Sequence, residues 1–261
     1  MKTKLVKFRW LYSLVVLAVI TVEPALAQLE EVVVTARKRD ESLQDTPISI
    51  TVMSDQAIKN RGINDASEIA DYTPNLIFDF TSAINPTSTA ASIYIRGVGQ
   101  PDWSLPSDPG VALYLDDVYV ARSVGAVLDV VDVENIEILR GPQGTLFGRN
   151  TTAGLVQLIT KGPSQEQEAN LKLGFGDDGH EMFGGMLNLP LSDNLAARFA
   201  VYSKKTDGYM LNAFNGEMHG NENSNSYRAS FARTGDVYNV RFTYDRFESD
   251  IKSPLASCRF V

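Results

Sequence analysis

From residue 169 onward, apolar and polar side chains alternate with period two, and the pattern recurs five times. Ala169, Leu171, Leu173 and Phe175 share one face; Phe183, Gly185, Leu187 and Leu189 share the next. Leu195, Ala197, Phe199 and Val201 follow, then Tyr227, Ala229 and Phe231, then Tyr238, Val240, Phe242 and Tyr244. Period two means extended strands with unlike faces. Segments of about ten residues joined by turns are the mark of a transmembrane β-barrel. Pro190 to Asn194 and Thr234 to Asp236 read as tight turns, and residues 204–226 as a long polar loop rich in Asn and Gly. If the first strand rises outward, the tight turns fall on one side and the longer connections on the other, as in outer-membrane barrels. Aromatics near strand ends, such as Phe175, Tyr202 and Tyr244, suit an interfacial girdle. The rival is a soluble β-sandwich with the same alternation.

Five strands are too few to close around a domain, since closed barrels begin at about eight strands and plugged ones reach about twenty-two. An open edge in lipid leaves backbone groups unpaired at several kcal/mol each. The expectation is therefore an incomplete barrel.

The first 27 residues read as a secretory signal. Lys2, Lys4, Lys7 and Arg9 form a basic start, residues 11–22 are apolar, and Ala25-Leu26-Ala27 is an A-x-A cleavage site. The apolar run is shorter than the roughly 17–25 residues a spanning helix needs. Losing those four cations and Glu23 takes the net charge from −8 to −11. Such an acidic chain does not suit nucleic acid. The single Cys258 excludes an internal disulfide. His180 and His219 lie in polar segments without metal-ligand spacing, so no metal or cofactor is expected.

Between these regions, residues 132–162 run as a strand, a glycine-rich break and a second strand. Ile136 and Ile138 alternate with Asn135 and Glu137; Gly141, Gly144, Gly148 and Gly154 fall within fourteen residues. A phosphate loop is excluded, because the spacing fails and no lysine follows Gly148; a dinucleotide fingerprint is absent. The run LRGPQGTLFGRNTTAG, followed by a strand ending Ile-Thr-Lys-Gly-Pro, closely resembles the plug domain of TonB-dependent outer-membrane receptors.

The chain ahead of that run fits a small α+β domain. Ile48, Ile50 and Val52 alternate with Ser49 and Thr51. Ser54 caps a short helix that Gly62 ends, and Asp65 with Glu68 forms a capping box for a second. Residues 81–91 and 101–110 read as loops, 92–97 as a strand, 111–120 as a hairpin turning at Asp116-Asp117, and 124–131 as a short turn or strand. A catalytic site using Asp108, Asp116 and Asp117 lacks any partnered nucleophile or acid, so no enzyme is expected. The fold class is thus an α+β domain followed by antiparallel transmembrane β-barrel strands.

The resemblance extends to the leader. Glu31, Val32, Val33, Val34, Thr35 and Ala36 resemble the TonB box, a segment that adds as a strand to the TonB partner. It implies these divisions: signal 1–27, box and linker 28–45, plug 46–163, and barrel strands 168–261. It also implies uptake across the outer membrane of a scarce solute, such as a ferric siderophore, cobalamin or an oligosaccharide. Arg96 and Arg140, each at the end of an apolar strand before a glycine, would contact glutamates of the barrel wall. Residues 253–261 do not end in the usual terminal aromatic strand, and the reading is of an N-terminal fragment. The alternative is a soluble periplasmic binding or signalling module.

Overall fold

The computed structural model describes residues 33–35, 37–39, 41–79, 91–100, 108–121 and 132–252. The signal segment, Glu31, Val32, Ala36, residues 81–90, 101–107, 122–131 and 253–261 lie outside the described residues.

β1 (Val33–Val34) and β2 (Glu41–Ser42) form a two-stranded ribbon, with Val34 opposite Glu41. The polar link expected after the leader is thus partly a strand, followed by a 3-10 turn at Leu43–Asp45. β3 (Ser49–Ser54) leads into α1 (Asp55–Arg61). Both ends of α1 match the sequence signals: the Ser54 side chain accepts from Ala57 N–H, and Gly62 adopts φ 68° and closes the helix onto Ile58 and Lys59. That left-handed stop is where glycine carries no Cβ penalty. The second helix is a 3-10 helix, Ala66–Tyr72, rather than an α-helix. Asp65 caps it through Ser67, but Glu68 reaches back to Asn64 N–H at 2.8 Å, one residue earlier than a capping box requires.

β4 (Leu76–Asp79), β5 (Ser92–Ile95) and β6 (Val98–Gly99) make a small antiparallel sheet. Arg96 and Gly97 form the β5–β6 turn, with φ of 54° and 78°. β7 (Val111–Leu115) and β8 (Val118–Tyr119) are the expected hairpin, turning at Asp116 and Asp117 with φ of 45° and 65°. Two positive φ values give the mirror-image turn whose twist suits paired strands. β9 (Val133–Arg140) and β10 (Gly154–Thr160) flank the glycine-rich segment, which holds one helical turn, α2 (Gly144–Phe147). The main sheet runs β3-β9-β10-β7-β8; β10 pairs parallel with β7 and antiparallel with β9.

One face of that sheet is the core of the N-terminal domain. Met53, Ile136, Ile138, Val156 and Leu158 pack with Ile58 and Ile63, and with Ile93 and Ile95. Burying an aliphatic side chain is worth about 1.5–3 kcal/mol, so this face holds the domain together. The opposite face carries Glu137 beside Gln157, in register with Tyr114.

The five alternating segments form one antiparallel sheet, ordered β11-β12-β13-β16-β17. The strands are β11 (Glu168–Phe175), β12 (Glu181–Ser192), β13 (Leu195–Thr206), β16 (Glu222–Thr234) and β17 (Asn239–Ser249). The long polar connection contains a further ribbon, β14 (Met210–Leu211) with β15 (Met218–His219). The register aligns Leu187 with Phe199, Phe199 with Ala229, and Ala229 with Tyr244, so the apolar sets share one face. That face is open: Leu173, Phe183, Phe231 and Phe242 are all exposed. Charges close the band, with Arg233 toward the tight turns and Lys205 and Arg246 at the other end. The polar face turns toward the N-terminal domain.

Candidate functional site

Three residues of the leader are described, and they dock on the face of the main sheet opposite the core, where Glu137 and Gln157 lie among Val52, Leu139 and Leu155. Val34 is 1% exposed, whereas Val33 is open. Thr35 donates its N–H to Glu137 Oε1 at 2.7 Å and its hydroxyl to the same oxygen at 3.3 Å. Glu137 sits in the middle of β9 and is fully buried. A buried carboxylate requires such donors, and hydrogen bonds to a charged group contribute about 1.5–3 kcal/mol. A second hold comes from Lys38, whose N–H donates to Thr35 O at 2.7 Å and whose ammonium stands 5.3 Å from the Phe147 ring centroid. The LFGR part of the glycine-rich stretch therefore touches the leader, through Phe147 of α2. The period-two pattern sets Glu137 opposite the isoleucines and assigns its carboxylate no role. Its face is covered because the leader lies on it, and no local signal foretells that.

Arg96 and Arg140 come together at the other end of the sheet. Ser49 stands opposite Arg140 in register, and Arg96 Nη2 donates to Ser49 Oγ at 3.4 Å. Arg140 Nη1 donates to Pro74 O at 3.4 Å, while its buried Nε has no hydrogen-bond partner among the described residues. Arg96 is exposed, being the first residue of a turn.

The ion pair that joins the two sheets has a different origin. Arg198, on β13, grips Asp132, just ahead of β9, in bidentate fashion: Nε to Oδ2 at 2.5 Å and Nη2 to Oδ1 at 2.6 Å. Glu168, the first residue of β11, takes Nη1 at 3.2 Å. The Arg198 and Asp132 side chains are 3% and 5% exposed. Removing one partner of a buried pair costs about 3–5 kcal/mol, because the other charge stays behind. The alternation placed Arg198 on the polar face, but nothing in the sequence names a partner 66 residues away.

The connector between the sheets, residues 161–167, is stitched to the wall. Asn188 is fully buried on β12. Its side-chain amide donates to Ser164 O at 2.9 Å and Glu166 O at 2.5 Å, and its Oδ1 accepts from Ser164 N–H at 3.1 Å. On the flank, the Lys161 ammonium meets Asp55 at the start of α1, and the Lys172 ammonium meets Asn64. Burial alone raises the Asp55 pKa; the ammonium groups of Lys161 and Lys59 outweigh it and hold the carboxyl below its ordinary value. Asp65 moves the other way, because burial exceeds what the Ser67 donors return. A crevice of about 400 Å³ lies along this flank, between α1 and the wall strands. The Asp116 carboxylate accepts from the Thr160 N–H and hydroxyl, and the Asp117 carboxylate from the Gln157 amide.

An α+β domain seated by a buried ion pair on the polar face of a sheet whose other face is apolar and open is the arrangement of a plugged outer-membrane barrel. The family model described as the TonB-dependent receptor plug domain matches residues 42–155. The vitamin B12 transporter BtuB of Vibrio vulnificus is 24% identical over 230 residues, covering 85% of this chain and 36% of that protein. The pesticin receptor of Yersinia pestis is 27% identical over 188 residues, covering 70% and 27%. The crystal structure of the ferric yersiniabactin uptake receptor FyuA from Yersinia pestis matches the fold with a TM-score of 0.69 at 23% identity, over 77% of this chain and 31% of that one. Residues 42–155 thus match the plug domain of TonB-dependent receptors, and the described fold, a plug-like sheet with five antiparallel strands beside it, is similar to that of an outer-membrane uptake receptor. The chain spans about a third or less of the length of these relatives.

Proposed function

We propose that this chain is the plug and first wall strands of a TonB-dependent active transporter, with a signal at 1–27, the TonB-pairing leader within 28–45, the plug over 46–163 and the barrel from 168. Glu31, Val32, Val33, Val34, Thr35 and Ala36 pair with TonB by strand addition, in which backbone hydrogen bonds carry the contact. The solute is scarce and taken up at the outer face, a ferric siderophore being the first candidate; the catecholate siderophore receptor Fiu of Escherichia coli, 26% identical over 163 residues, supports that class. No catalytic residue is required, because the work is mechanical. Arg96 and Arg140 serve as plug contacts to the barrel, a role supported by the unpartnered Nε of Arg140.

The observation that carries this reading is the leader's attachment. Val33 to Thr35 are held by a two-residue ribbon, the buried Val34 side chain, the Glu137 carboxylate and the Lys38 N–H, a short local hold that a longer strand-pairing partner can replace. Deleting residues 31–36 from the receptor is expected to abolish solute uptake while leaving surface binding intact. Uptake at the wild-type rate refutes the coupling role. The open apolar face of the wall weighs against a soluble periplasmic module, which has no use for such a band.

A further inference from the structure

Three strands of the plug sheet end at one rim, and the rim is tied together laterally. Asp116 Oδ1 accepts from Thr160 N–H at 2.8 Å and Oδ2 from the Thr160 hydroxyl at 2.6 Å. Lys161 N–H donates to Asp132 O at 2.9 Å, and Asp116 N–H to Leu158 O at 2.9 Å. The start of β9, the end of β10 and the turn after β7 are thus one hydrogen-bonded unit. Two wall arginines take hold of it. Arg198 carries the bidentate pair to Asp132, and Arg241 of β17 donates to Thr160 Oγ1 at 2.9 Å and lies 3.7 Å from Asp116 Oδ2.

The geometry points to Arg198 as the positioning residue that fixes the seat of the plug in the wall, with Arg241 as the second hold on the same rim. The polarity is reversed from that expected of Arg96 and Arg140: the cation belongs to the wall and the anion to the plug. Asp132 adopts φ 54°, a left-handed conformation uncommon for a residue with a Cβ, immediately before β9 begins. A planar guanidinium is required here, because only a fork matches both carboxylate oxygens at once. The assignment rests on plug and wall forming one packed unit, and not on energy coupling, so its test leaves uptake aside.

The test is amide hydrogen exchange of the chain in detergent micelles. Asp132→Asn, nearly isosteric, is expected to speed exchange in β9 and at Lys161 at least tenfold while leaving Phe242 to Tyr244 of β17 unchanged. Arg198→Lys keeps the charge but loses the fork, and is expected to give a smaller acceleration at the same amides. The reciprocal pair Asp132→Arg with Arg198→Asp is expected to return them to within about threefold of wild type. Arg241→Gln is expected to act at Thr160 and Lys161 only. Unchanged β9 exchange in Asp132→Asn overturns the assignment. So does an acceleration spread evenly over plug and wall, which marks an ordinary contributor to stability. If the reciprocal pair does not fold, Arg198→Lys decides: no difference between it and wild type also overturns the assignment. Loss of uptake on deleting the leader bears on none of these outcomes.

Discussion

Gly154 opens β10 at φ 144°, and a Cβ built there falls 2.1 Å from Leu139 O and 3.0 Å from Ile95 Cδ1. The first neighbour is backbone of the adjacent strand and cannot turn aside. Gly154→Ala is therefore expected to lower plug stability by about 3 kcal/mol, in the upper range for overpacked sites, measured by urea unfolding in micelles. Gly148 has φ 80° and ψ −144°, backbone that is essentially restricted to glycine, but no atom within 4 Å, so Gly148→Ala carries only the backbone cost, about 1–2 kcal/mol. A variant pair with equal costs contradicts this distinction. The sequence showed four glycines alike. Only the pairing of β9 with β10 separates the one that is spatially blocked from the one whose backbone alone needs glycine.

At the level of elements, α1 is docked through a charge. The ammonium groups of Lys161 and Lys59 hold Asp55 ionised below its ordinary range, so the carboxylate's contribution is complete at neutral pH. A depressed folded value means that this contribution lies above the unfolded value of about 3.9 and fades as pH falls through the folded one. Protection of the α1 amides is expected to hold from pH 7 to about 4 and to drop below that. Lys161→Met is expected to flatten the drop; an equally steep drop in that variant removes Lys161 as its cause. Asp65 opposes the trend, since its raised value makes the ionised form the costly one. Element boundaries were legible wherever a local rule governed them: Ser54 and Gly62 for α1, Asp116-Asp117 for the hairpin, period two for the wall strands. They were lost where the cause was distant. The wall strands outrun the apolar alternation because their upper ends are polar, as at Lys204 to Thr206, yet still pair in the ladder. The 3-10 form of Ala66–Tyr72 and the single turn of α2 have no sequence signal that we can name.

For the whole molecule, the decisive asymmetry is between the two faces of the wall. The outward face exposes Phe231 opposite Phe242, and the inward face spends its polar groups on the plug. A cation on the lipid side of an outer-membrane barrel costs about 2–4 kcal/mol near the midplane. Phe242→Lys is expected to carry that cost in lipid vesicles, read as a lower denaturation midpoint, and to carry far less of it in water. An equal loss in both settings means that the face is not lipid-facing. The candidate site was legible to the extent that it is local. Val33 to Thr35 stood out as an extended leader, and Arg96 and Arg140 as cations ending strands. Glu137, Asp132 and Arg198 were not, because each owes its role to a neighbour far along the chain.

Asn188 limits how this molecule can move. A lid that swings needs slack at its joint, and the seven residues between β10 and β11 have little, since Ser164 and Glu166 are sewn to Asn188 and Glu168 to Arg198. The stopper cannot tip out like a door without first unpicking those stitches. Any opening movement must therefore arise within the N-terminal domain or along its flank, where the crevice beside α1 already lies.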